Sequence, residues 1–373
     1  MGIEAGKHLP VGAPPSAEAR RFVPVVEVAN EATWVNAAFP NLPFRLERGK
    51  ASDLGLFLGS DAPYGAPSSD GELEVTRQHT RSALIGRVVF GDSEGNRYRD
   101  VDIKGGGATF WNDHYDPEGP HGDVENEYAQ PKVQAPGPKP RYSNWASSRG
   151  ILDRKYAERD RTLSEFLHRN GVRTHRTLAI LKLKEISLHG KRVSITEAKL
   201  AKAVGLLEEP VIQVRAFGTR ARIANLYGSG GAYRTDAMAM VASELGIPAA
   251  EFSKEQYYGW FAKTYGEQVA RLHSLGYFHG FLSPHNVTLD CRLTDFDTVQ
   301  KLPRAADKRN ARIANDVGTA LDTLGEFPHD LRQTLEKAFR EAYQTHLSSA
   351  LKEDEGVQRA IAHPKRFDWT TTI

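Results

Sequence analysis

The sequence predicts an α+β protein in two lobes, the first rich in strands and the second mainly helical. Three observations lead there. Alternating or short apolar runs dominate up to about residue 217, interrupted by one long helical pattern. A glycine cluster, Gly228-Ser229-Gly230-Gly231, then frees the backbone enough to serve as a hinge. Beyond it most periodic segments have helical spacing. The implied organisation is a disordered tail over 1–20, a β-rich lobe over 21–227 with a long inserted loop at 108–148, and a helical lobe over 228–373.

The elements follow in chain order. Residues 1–20 are rich in Gly, Pro and Ala and read as a tail. Residues 22–60 carry apolar segments broken by Pro and Gly, and DAPYGAPSSDGE reads as a loop. Strand signals begin at Ser82: ALIGRVVF, the turn-former DSEGN and RYRDVDIK predict a hairpin that runs into Gly105-Gly106-Gly107. The long stretch 108–148 has the length and composition of a functional or disordered loop. A helix is predicted over 151–170, with Leu152, Tyr156, Leu163, Phe166 and Leu167 on its apolar face, ERDR at 158–161 on a solvated one, and Asn170-Gly171 as the stop. THRTLAILKLKEI, the turn HGKR and VSIT alternate like strands, and EPVIQVRAF reads as a further strand. DAMAMVASELGI and SKEQYYGWFAKTYGEQVARLHSLG then read as helices. Ser253 is placed to cap the second, and its aromatic cluster Tyr257, Tyr258, Trp260 and Phe261 is expected to be core. Helical spacing returns over 306–351.

Composition narrows the function class. Lys plus Arg is 49 and Asp plus Glu is 47, so the net charge of +2 gives no pull toward nucleic acid or an anionic membrane. The single cysteine, Cys291, cannot form an internal disulfide, and no apolar run reaches membrane-spanning length. The start lacks the basic and apolar regions of a signal peptide, so a cytoplasmic location is expected.

The chemistry concentrates in YFHGFLSPHNVTLDCRLTDFDT, residues 277–298. Asn286, a short apolar stretch and Asp295 followed by an aromatic residue resemble the loop and metal aspartate with which protein kinases hold magnesium. Both are hard oxygen donors, and their spacing, 295 − 286 = 9, fits a tight hairpin. Phe281 stands where a kinase keeps its catalytic aspartate, and Asp297 replaces the glycine of the metal motif. His279 is expected to bond backbone. Upstream, Lys104 closes a strand before three glycines, and Glu165 lies on the one long helix of the first lobe, in the order of the lysine and glutamate that kinases pair. Singly these are ordinary surface residues; their order gives them meaning. His114, Asp116, His121 and Asp123 match no zinc spacing.

The chain also resembles the selenoprotein O family of pseudokinase adenylyltransferases, which transfer AMP from ATP to protein hydroxyls. DIKGGG, EFLHRNGVRTHRTLAI, VRAFGTRARIANL, GYFHGFLSPHN and LTDFD are each similar to a family segment and occur in the family's order. Arg215 and Arg222, 222 − 215 = 7 residues apart, match its phosphate-gripping pair, with Arg220 close by. The resemblance implies a reversed nucleotide. Lys104, Gly105, Gly106, Gly107, Arg215 and Arg222 would bind it, Glu165 would orient Lys104, and Asn286 and Asp295 would hold Mg2+ or Mn2+. His285 stands where the family keeps its base aspartate. A neutral imidazole can take that proton near pH 7. The family's C-terminal cysteine or selenocysteine signature is absent from this sequence.

The expected function is therefore ATP- and Mg-dependent AMP transfer to a protein hydroxyl. Two alternatives stand beside it: phosphoryl transfer to a protein or small molecule, and a catalytically silent nucleotide-binding scaffold. The arginine pair favours adenylyl transfer; the His285 replacement favours the scaffold.

Overall fold

The computed structural model describes residues 21–58, 70–76, 79–107, 151–188, 191–200, 208–226, 231–296 and 298–364. The expected tail, the 108–148 loop with its His and Asp residues, Gly228, Gly230 and Asp297 lie outside them. The fold is α+β, with a β-rich unit and a mainly helical one. Among the described residues the first unit holds those up to Arg161 together with Arg176–Gly218, and the second holds Thr162–His175 and those from Thr219 onward.

The first unit is built on an antiparallel sheet. Its strands are β1 (Arg21–Glu27), β2 (Asn30–Val35), β3 (Leu56–Leu58), β4 (Gly71–Thr76), β5 (His79–Gly91), β6 (Arg97–Lys104), β7 (Leu152–Asp153), β8 (Arg176–Leu183) and β11 (Pro210–Phe217). The spatial order is β2-β8-β11-β6-β5-β4-β1-β3, with β7 pairing on β11. A separate hairpin joins β9 (Glu185–Leu188) to β10 (Lys191–Ser194), followed by the short helix α2 (Ile195–Leu200). The β5–β6 hairpin and the β8–β9–β10 run lie where alternation predicts them. β1 to β4 go beyond the prediction, because short runs interrupted by Pro and Gly acquire strand character only from distant partners. Pro24, for example, sits opposite Glu72 in the β1–β4 ladder.

Alternation explains the unit's two chemistries. On β11, Ile212, Val214 and Ala216 enter the main apolar core with Phe57, Ile103 and Leu178. Gln213 and Arg215 fall on the opposite face. There Gln213 donates to Asp160 Oδ2 at 2.7 Å, so Asp160 is buried and the expected solvated face of ERDR is corrected. Leu152 likewise belongs to β7 instead of the helix that follows, α1 (Arg154–Arg169). Buried guanidinium–carboxylate pairs recur in this unit: Arg176 Nη1 on Asp92 Oδ2 at 2.7 Å and Arg99 Nε on Asp100 Oδ1 at 2.7 Å. Such pairs hold geometry more than they add stability, since desolvation opposes the attraction.

The second unit contains α3 (Gly231–Leu245), α4 (Lys254–Ser274), α5 (Ala306–Leu324), α6 (Arg332–His346), α7 (Ser349–Lys352) and α8 (Glu355–Ala362), with β12 (Tyr277–Phe278) paired to β13 (Gln300–Lys301). Ser253 caps α4 in a capping box: its Oγ accepts from Gln256 N, and Gln256 Oε1 accepts from Ser253 N. Tyr257, Tyr258 and Phe261 are buried around Phe327, as an amphipathic reading requires, whereas Trp260, expected in the same core, is only half-buried. Among the described residues no helix is long and apolar enough to cross a membrane.

The glycine run after β6 is set by packing. Gly105 has φ 97°, and a Cβ there would lie 2.4 Å from Leu152 Cβ and 2.7 Å from the Val211 carbonyl. Gly95, in the β5–β6 turn, has φ 86° but open space around it. Gly105→Ala should therefore cost about 3 kcal/mol or more, combining overlap with left-handed strain, whereas Gly95→Ala costs about 1 kcal/mol. Equal midpoints in urea unfolding of the two variants would show that the packing at β7 is not as described.

Candidate functional site

The best-defined constellation lies in the second unit, in the segment joining β12 to β13. Residues 286–295 form a tight hairpin. Thr294 N donates to the Asn286 carbonyl at 3.0 Å, Val287 bridges Leu293, and Thr288 N donates to the Arg292 carbonyl at 3.0 Å. Cys291 makes the turn in the left-handed region at φ 58°. Its thiol is buried, and that burial pushes it up, so it stays a neutral thiol. Charged side chains anchor the tip: Arg292 Nε donates to Asp290 Oδ2 at 2.8 Å, and Arg173 Nη2 to the Asp290 carbonyl at 3.1 Å. Arg173 also pairs with Glu244 of α3.

The hairpin ends bring the two predicted metal donors together. Arg222 Nη1 lies 2.7 Å from Asp295 Oδ2 and 3.4 Å from Asn286 Oδ1, and also bonds the His285 carbonyl. Arg222 is fixed there by its backbone. It bridges Thr288, its neighbours Ala221 and Ile223 bond Leu289 N and the Val287 carbonyl, and Arg222 N donates to Asn225 Oδ1 at 2.8 Å. Asn286 is oriented by its own amide, whose Nδ2 donates to the Phe281 carbonyl at 2.9 Å. Asp295 takes φ 60°, a region that aspartate tolerates better than branched residues. Three oxygens thus converge on one cationic nitrogen. A set of carboxylate, amide and carbonyl oxygens fits Mg2+ or Mn2+, and it contains no sulfur or imidazole donor that would favour zinc.

Behind this set lies a residue that sequence reading missed. Asp316, on α5, is fully buried and accepts from His279 N at 2.6 Å and Gly280 N at 2.8 Å. His273 Nε2 lies 3.2 Å from the same carboxylate, and its Nδ1 lies 2.6 Å from Tyr343 Oη. His279 in turn places Nε2 3.0 Å from the Thr294 carbonyl, the backbone bond expected of it. Its ring lies against Phe296, which also stacks on His175. The only sequence signal for Asp316 is an aspartate on the apolar face of a helix, flanked by Ile313 and Val317.

Lys104 closes β6 and is buried in the first unit, opposite Ser82 and Gln213 on the flanking strands. Gly105, Gly106 and Gly107 are also in that unit. Leu58 N donates to the Gly106 carbonyl, and a Cβ on Gly107 would meet Phe57. Arg215 is fully buried there, bidentate on Asp102 at 2.9 Å through Nε and Nη2, with Ser82 Oγ at 3.1 Å from Nη2. Glu165 is a half-buried residue of α1 in the second unit, and its carbonyl accepts from Arg169. Of the Arg215–Arg222 pair, Arg222 is the one whose guanidinium reaches Asn286 and Asp295. The His285 side chain is half-buried next to them in sequence.

No family model matches the chain, and no curated protein does. Among solved structures it is similar to a Toxoplasma gondii specific rhoptry antigen kinase domain, at 10% identity and a TM-score of 0.30 over 79% of this chain and 83% of that one.

The Asp316 arrangement makes a direct prediction. Asp316→Asn would turn an NH2 group toward a backbone donor or the His273 ring, leaving buried partners unsatisfied. It should lower unfolding free energy by about 3 kcal/mol, against about 1 kcal/mol for Tyr343→Phe, as read by urea titration. A neutral Asp316→Asn would show that the carboxylate does not hold the loop.

Proposed function

We propose that this protein binds ATP with Mg2+ or Mn2+ through a protein-kinase-like site and transfers AMP to a hydroxyl of a protein acceptor. The observation that supports the reading best is the convergence of Arg222 on Asn286 and Asp295, the two ends of a hairpin to which its own backbone is stapled. Hard oxygens and a permanent cation are the two things that a polyphosphate needs beside it. In this reading Asn286 and Asp295 hold the metal, which would neutralise charge on the pyrophosphate leaving group. Arg222 binds phosphate oxygens. Arg215 acts through Asp102, two residues before Lys104 on the same face of β6, and so positions the strand end that presents it.

The acceptor hydroxyl oxygen bonds to the α-phosphorus, and the bond from that phosphorus to the oxygen bridging to the β-phosphate breaks. Pyrophosphate leaves with the electron pair, and the hydroxyl proton passes to the His285 imidazole. Phe281, where a kinase carries its carboxylate base, argues against ordinary phosphoryl transfer. A second reading, a silent nucleotide-binding scaffold, is favoured by the ion pair that Arg222 makes with Asp295.

The test is label transfer from ATP labelled at the α- or the γ-phosphate, with Mg2+ and then Mn2+, reading self-modification and modification of added protein. Movement of the α label is expected, with a loss of about a hundredfold or more in Asp295→Ala. Movement of the γ label instead would make the protein a phosphotransferase. ATP binding with no transfer of either label would favour the scaffold.

A further inference from the structure

The contact between Arg222 and Asp295 has a consequence of its own. The guanidinium holds one permanent positive charge at 2.7 Å from the carboxylate oxygen that the proposed metal would need. It lies within reach of the Asn286 amide oxygen and the His285 carbonyl as well. Both the arginine side chain and the carboxylate are about nine-tenths buried, so solvent screens the pair little. A divalent cation and a guanidinium cannot share those oxygens at contact distance without strong repulsion. Arginine cannot relieve it by losing a proton, because its pKa lies far above any working pH. The backbone staples at Ala221, Arg222 and Ile223 fix its root, which leaves rotation of the side chain as the means of leaving.

We infer that Arg222 is a built-in stand-in cation that keeps a divalent metal off Asn286 and Asp295 until a polyphosphate gives its guanidinium another partner. The inference rests on the site assignment above and adds a regulation to it. Arg222 exchanges a buried carboxylate for phosphate oxygens, with which it makes charge-assisted, bidentate bonds. Metal and nucleotide binding are then coupled, and the coupling is reciprocal, so each tightens the other. The protein takes neither ligand firmly alone, and it does not lose its metal site to free cation in the absence of nucleotide.

The experiment is Mn2+ binding to the full chain, read as protein-bound Mn2+ in equilibrium dialysis, with and without a non-hydrolysable ATP analogue at the same concentration on both sides of the membrane. Wild type should bind Mn2+ weakly alone and at least tenfold more tightly with the analogue. Arg222→Gln should bind Mn2+ at least tenfold more tightly than wild type without nucleotide, and the analogue should add little. Arg222→Met keeps the aliphatic stem and serves if the glutamine variant does not fold; Arg222→Lys should restore the wild-type pattern in part. Asp295→Asn should remove the binding in every background. If Arg222→Gln and Arg222→Met bind Mn2+ no better than wild type, while Asp295→Asn still removes the nucleotide-dependent binding, the stand-in role is overturned and the site assignment survives. If Asp295→Asn leaves Mn2+ binding unchanged, the site assignment itself fails, and the inference with it.

Discussion

A carboxylate sealed away from water must be paired on every side, and Asp316 meets that constraint by taking hold of a loop. Its oxygens accept the backbone N–H groups of His279 and Gly280, and His273 closes the remaining side. That fixes where the loop starts. His279 then reaches the Thr294 carbonyl, so the start of the loop is tied to the residue before Asp295. A charge buried in α5 thereby sets, through two backbone amides and one imidazole, where the carboxylate of Asp295 stands. Losing it would leave several buried partners unsatisfied at once, a far larger effect than any surface contact.

The same economy appears at Arg222. Its backbone belongs to the 221–224 segment, which is stapled to the strand-like part of the hairpin, while its side chain returns to the hairpin ends. Backbone pairing and side-chain charge thus act on one small element. Arg215 is the contrast. It carries the same group seven positions earlier, yet it lies inside a strand whose pairing with β6 is in unbroken register, so that it stands opposite Asp102 and bonds its carboxylate.

Which features were legible in the sequence follows from how local their causes are. The Asn286–Asp295 spacing implied a tight hairpin because the turn residues and apolar flanks lie inside it, and the hairpin is there. The cap at Ser253 and the buried aromatic stripe of α4 were readable for the same reason. β1 to β4 were not, since runs such as LFL gain strand character only from partners far along the chain. Asp160 read as a solvated charge because its partner, Gln213, lies 53 residues away. Asp316 was hidden by a general rule: an aspartate on an apolar helix face looks like noise until the amides it serves are known. The three glycines signalled close backbone approach, and within the described residues that approach is to the protein's own β3 and β7.

Cys291 gives the hairpin an unexpected handle. It is the sole cysteine of the chain, fully enclosed at the turn between Asn286 and Asp295. A thiol there can meet a reagent in solution only when the turn lifts off its surroundings, so the rate of its chemical labelling is a clock for that opening. The protein carries, without any added probe, a single-site gauge of how often the element bearing its candidate metal donors comes apart.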